Sequence, residues 1–195
     1  MDRDPEDVAA YDRELARVTI GGPQPLAGRI ELAEYDPAWP ALYAREERRL
    51  RSLLGERAVR VEHVGSTAVP GLRAKPIVDV ALEVPDSADE AAYVPDLEAA
   101  GYALRIREPE WLEHRLVKGP DTNVNVHVFS AGCDEVERML RFRDRLRADA
   151  ADRERYAQAK RELAAREWRY VQQYADAKSG VVADILARAD EATDG

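Results

Sequence analysis

Apolar and polar positions alternate most cleanly from Ile77 to Val84, where Val78, Val80, Leu82 and Val84 fall on one side and Asp79, Ala81 and Glu83 on the other. That period of two predicts a strand with one face in the core. The run Asn123 to Phe129 repeats it, turning Val124, Val126 and Val128 inward and Asn123, Asn125, His127 and Phe129 outward. Further β-type segments are expected at 59–64 and 102–107, with a hairpin pairing His114 to Val117 against Asn123 to Phe129 across Gly119-Pro120-Asp121. Ile30 and Leu32 suggest one more short strand. Helical periodicity predicts helices over 37–54, entered from Asp36-Pro37 and stopped at Gly55, and over 87–100, entered from Ser87 and stopped at Gly101. From Asp134 onward no proline occurs, and helices are expected over 134–148, 151–178 and 180–191.

Strands followed by a helical tail make the fold class α+β, a mixed sheet with a helical C-terminal subdomain. The first 28 residues are set apart. Six acids crowd the first 25, and the breaker run Gly21-Gly22-Pro23-Gln24-Pro25 follows, so this stretch is expected to be a mobile or loosely docked acidic arm. The divisions are thus 1–28, 29–132 and 133–195.

The chain has 195 residues, 45% of them hydrophobic and 34% charged, enough for one core under a well-solvated surface. Nowhere does an apolar run approach the length of a membrane helix, and the acidic N-terminus is unlike a signal peptide, so membrane and secretory roles are not expected. One cysteine, Cys133, forms no intrachain disulfide and no cysteine metal cluster, which fits a cytoplasmic location. A net charge of -9 opposes broad nucleic-acid binding, which needs a dense basic surface. Four of the 29 basic residues are lysines, Lys75, Lys118, Lys160 and Lys178. That scarcity is read as a reflection of genome base composition.

Chemistry concentrates where a strand runs through His63 and Val64 into the turn Gly65-Ser66-Thr67, followed by a second strand carrying Asp79. A glycine lets backbone approach a phosphate, a serine adds a hydroxyl, and turn N–H groups bind anions. A carboxylate on the neighbouring strand is suited to the Mg²⁺ that accompanies nucleotide phosphates. In a largely buried strand Asp79 needs a partner, whether lysine, arginine or metal. His63, His114 and His127 fall on or beside strands, and convergence of His63 and His127 with Asp79 and Glu83 would form an acid/base group or a metal site. On the helix after Asp134, arginines offer guanidinium forks for a triphosphate.

The run Val61-Glu62-His63-Val64-Gly65-Ser66-Thr67-Ala68-Val69-Pro70-Gly71-Leu72-Arg73-Ala74-Lys75-Pro76-Ile77-Val78-Asp79 closely resembles the signature of the GrpB family, within the nucleotidyltransferase superfamily. Tyr35-Asp36-Pro37 with Trp39, His127-Val128-Phe129, Leu140-Arg141-Phe142-Arg143-Asp144, Tyr156 with Lys160 and Leu163, and Tyr174 with Lys178 extend the resemblance over residues 29–190. It implies a nucleotidyltransferase-like core that binds a nucleoside triphosphate, or another phosphorylated small molecule, with Mg²⁺. In that reading Gly65, Ser66, Thr67, Lys75, Arg143 and Lys160 hold phosphates, Asp79 and Glu83 hold the metal, and Asp79, His127 and His63 are the catalytic candidates. Active superfamily members usually carry a second acid two residues after the first, where this chain has Ala81, and Asn125 stands where the family often has histidine. A non-catalytic phosphate-binding module, of the kind sometimes joined to dephospho-CoA kinase and so linked to coenzyme A metabolism, is the alternative, and a His/Asp metal-dependent hydrolase the weaker one.

Overall fold

The computed structural model describes residues 5–191, so the first four residues of the expected arm and the last four of the helical tail lie outside it. Five strands form one mixed sheet in the order β1-β2-β5-β4-β3: β1 (Arg60–Val64), β2 (Val78–Val84), β3 (Ala103–Glu108), β4 (His114–Lys118) and β5 (Val124–Ser130). β2 and β5 run parallel, pairing Asp79 with Asn125 and Ala81 with His127, and every other pair is antiparallel.

One face of the sheet carries the larger core. Val61, Val78, Val80, Leu82, Val126 and Val128 are buried there against Trp39, Leu50 and Leu54 of α2 (Trp39–Leu54) and Leu97 of α3 (Val94–Ala99). The alternation seen in the sequence sets this directly, since successive side chains of a strand leave by opposite faces. On the other face Val64, Ala81 and Phe129 pack under Val136 and Leu140 of α4 (Asp134–Ala148). Beyond α4 the chain continues as α5 (Ala150–Ala164), α6 (Val171–Asp176) and α7 (Ser179–Glu191). Tyr156 and Ile185 from these helices bury Val69 and Leu72, which closes the segment after β1 against the C-terminal helices.

Several local expectations are corrected. The N-terminal arm is a helix over Pro5–Val18, here α1, because Val8, Tyr11, Leu15 and Val18 form a 3- and 4-residue apolar stripe within the acidic sequence. Leu15 and Val18 are buried, the Tyr11 hydroxyl donates to Asp176 Oδ2 at 2.7 Å, and Thr19 bridges to Ile106. The helix expected over 87–100 is reduced to a 3₁₀ turn at Glu90–Ala92 and the six-residue α3, since Pro95 has no N–H and is confined to a first turn. Glu90 is bound by Arg107 and Arg115 at 2.5 Å each. No strand forms at 30–32, where Ala33 makes an isolated bridge to Ala74. The single helix expected over 151–178 is broken between Ala164 and Val171. Trp168 Nε1 donates to the Leu163 carbonyl there, and the freed Arg169 carbonyl accepts from Leu26 N at 2.8 Å. A contact from the far end of the chain thus breaks a segment that contains neither proline nor glycine.

Candidate functional site

β1 is followed by Gly65, whose φ of +70° suits glycine. A second constraint acts on the same residue, because a Cβ there would lie 2.6 Å from Asp79 Oδ2. The chain then turns through the 3₁₀ segment Ser66–Ala68 and brings Ser66 beside β2. Lys160 of α5 reaches the turn and donates from Nζ to Ser66 Oγ (2.8 Å) and to the Arg73 carbonyl (2.5 Å). Lys178, between α6 and α7, and Lys75, before β2, complete the group, their ammonium nitrogens lying 4.8 and 5.9 Å from the centre of the Tyr174 ring.

Together Ser66, Lys75, Asp79, Asn125, Lys160, Tyr174 and Lys178 line a hollow of about 50 Å³, room for a few waters or one tetrahedral oxyanion. Three ammonium groups face one carboxylate. Burial, and after it the neighbouring Lys178, lowers Lys160 to a pKa of about 7, and burial lowers Lys75 and Lys178 as well. Burial acts upward on Asp79, but His127, Asn125 and Lys75 outweigh it and hold the carboxyl below its ordinary range. Two buried polar atoms of these lining residues have no protein partner: the hydroxyl of Tyr174, a residue 1% exposed, and Asn125 Oδ1. Orphaned groups at a cationic hollow are what a bound ligand would satisfy.

From Asp79 a row of titratable groups crosses the strands. Asp79 Oδ1 lies 3.7 Å from His127 Nε2 and accepts from Asn125 Nδ2 at 3.1 Å. His127 Nδ1 is 3.2 Å from His114 Nε2, and His114 Nδ1 is 2.6 Å from Glu108 Oε2. With Glu108 ionised, His114 donates from Nδ1 and accepts from His127, so His127 gains a second N–H toward Asp79 only as the cation. Burial is the main influence on His114 and lowers its pKa.

The structure separates other residues singled out in the sequence. His63 pairs across the sheet with Val80, so it faces α2, opposite to Asp79. It stacks on Tyr43 with centroids 4.7 Å apart, and its Nε2 lies 3.0 Å from Thr67 Oγ1, which accounts for Thr67 as well. Arg143 is a strap between α4 and β1, donating to Glu62 Oε2 (3.0 Å), the His63 carbonyl (2.9 Å) and Asp144. Glu83 shares the face of Asp79 but lies four residues along the strand, roughly 13 Å away, and accepts from Gly132 N. The convergence of His63, His127, Asp79 and Glu83 is therefore not formed, and among the described residues no three His, Cys, Asp or Glu side chains gather as metal ligands. Mg²⁺ fits poorly here on the donor set, since Asp79 is the one carboxylate in the hollow among the described residues and three lysines compete for it. Lys178, Tyr174 and the Glu108–His114 pair were not singled out as site residues.

An α+β protein with a five-stranded mixed sheet, a Gly-Ser turn and a lysine-lined hollow is the class that fold and site define. Residues 29–188 match the model of the GrpB protein family, and the chain belongs to that family. A relative in Halalkalibacterium halodurans, a UPF0157 protein, is 62% identical over 179 residues, which is 92% of each chain. The crystal structure of conserved protein GrpB from Enterococcus faecalis superposes with a TM-score of 0.72 at 28% identity, covering 85% of this chain and 100% of that one. A longer protein of Mycobacterium tuberculosis named dephospho-CoA kinase is 29% identical across 97% of this chain, matching 55% of its own length. No helix among the described residues is long and apolar enough to cross a membrane.

Proposed function

We propose that this protein binds the phosphate end of a small phosphorylated molecule in the lysine-lined hollow. The observation that carries the reading is one hollow lined by Lys75, Lys160, Lys178 and Ser66, beside a Tyr174 hydroxyl with no protein partner. An oxyanion there takes charge-assisted hydrogen bonds from the ammonium groups and one from the phenol, which offsets the burial cost of the lysines. Asp79 orients Asn125 and keeps net charge from building up before the ligand arrives. The match to a longer protein named dephospho-CoA kinase favours a binding module that works beside enzymes of phosphorylated metabolites.

Calorimetric titration with inorganic phosphate, pyrophosphate and ATP, each with and without Mg²⁺, tests the reading. Binding in the micromolar to millimolar range is expected, weakened about tenfold or more by Lys160→Ala or Lys178→Ala and little changed by Mg²⁺. No binding of any of the three anions at about 10 mM would end it. Nucleotidyl transfer is a second reading, favoured by the contact of Gly65 and Ser66 with the strand that carries Asp79. Mg²⁺-dependent nucleotide turnover, lost in Asp79→Asn, would put it first.

A further inference from the structure

Against the hollow lies a much larger cleft, of about 570 Å³, that shares Lys75, Ile77 and Asn125 with it as a common wall. The size falls within the roughly 300–1,000 Å³ of small-molecule sites. Its floor is the open part of the sheet, at Ile106 and Leu116, and its sides are the end of α1, the segment after it, and the start of α6. We infer that this cleft holds a flexible aliphatic chain attached to the phosphate, so that the ligand is a phosphomonoester of an extended aliphatic compound. The inference rests on the phosphate reading above and names the class of molecule that carries the phosphate.

Three observations support it. Most of the lining surface is apolar, with Leu15, Ile20, Leu26, Ile30, Ile106 and Leu116 on it between the charged Arg29, Glu31, Arg105 and Lys118, and Tyr170 is the one aromatic side chain among the described residues that line it. That ring is 7% exposed with the Arg169 guanidinium 5.1 Å from its centre, so it offers little face for a base to stack on. Secondly, three of the four lining amides already spend a side-chain N–H, Asn123 on the Pro76 carbonyl, Asn125 on Asp79 and Gln172 on Asp176, while Gln24 stands exposed at the rim. Over the apolar part of the cleft a heteroaromatic base would leave polar ring atoms unpaired, a cost that an alkyl chain does not carry. Thirdly, Ile20 is 36% exposed on this wall, apolar surface that a chain would cover.

The test compares inorganic phosphate, butyl, hexyl and octyl phosphate, and AMP by titration calorimetry on the wild-type protein. Affinity is expected to climb with chain length, hexyl phosphate binding about 30-fold or more tighter than inorganic phosphate, while AMP gains little. Ile20→Asp, at a partly exposed position whose change leaves the hollow intact, is expected to remove most of that increment and to leave phosphate binding unaltered. A flat chain-length series on a protein that does bind phosphate, or AMP binding as tightly as hexyl phosphate, overturns this inference and leaves the phosphate reading standing. Failure of inorganic phosphate itself to bind removes both.

Discussion

At Gly65 two independent constraints meet, a left-handed φ and a neighbour, Asp79 Oδ2, already within van der Waals range of any added carbon. Gly65→Ala is expected to destabilise the fold by about 2–4 kcal/mol in urea unfolding and to weaken anion binding by displacing Asp79. His63, held neutral by burial at a pKa of about 4, gives a different signature. Its folded pKa lies below the unfolded value of about 6.5, so the stability it contributes is complete above pH 6.5 and is lost as pH falls toward 4. Denaturation midpoints measured across that window should fall by the equivalent of roughly 3 kcal/mol, with a shallower slope in His63→Gln. Lys160 acts in the opposite sense on ligand. Above its pKa of about 7 it loses the charge that grips an anion, so sulfate, whose charge is constant, should bind up to about tenfold more weakly per pH unit from 7 to 9. A pH-independent sulfate affinity would detach Lys160 from the hollow. Individual site residues were partly legible: Gly65, Ser66, Lys75, Asp79 and Lys160 stood in the motifs, whereas Lys178 stood as a family match without a role. The missed signal was compositional. In a chain that otherwise uses arginine, three of its four lysines line the hollow and the fourth, Lys118, lines the cleft beside it. Lysine is the cation whose charge burial can tune, and arginine is not.

Elements followed the same division. β2 and β5 were legible because one buried face imposes a period of two, and α4 runs over the expected 134–148. What escaped was decided by distant partners. The stripe of α1 was present in the sequence but hidden by its acids, and it gains meaning only once β3 offers Ile106 as a neighbour. The break before α6 is made by Leu26 and Trp168, which no local propensity encodes. Likewise His63 was placed with Asp79 because both lie on strands, and odd-even register alone sends them to opposite faces. The docking of α1 makes a direct prediction. Leu15→Ala should cost about 2–3 kcal/mol in thermal or chemical unfolding, and Leu15→Asp should release α1 and speed proteolytic cleavage within 19–28. Unchanged proteolysis would mean the helix is held by its polar contacts alone, those of Tyr11, Asp12 and Arg17.

For the whole molecule, a net charge of -9 surrounds a pocket of opposite sign. Such a surface repels long polyanions while a buried cationic hollow, little screened by salt, still admits a small one. No mobility shift is expected with duplex DNA at physiological ionic strength, and a clear shift would contradict this separation of scales. The three lysines also come from three places: the approach to β2, the middle of α5 and the turn before α7. Their like charges push these segments apart, so an anion seated among them works as a keystone, adding to stability by mass action and only after the last helix is in place. A chain caught with its C-terminal helices undocked would be blind to the ligand, and occupancy would then report that folding is complete.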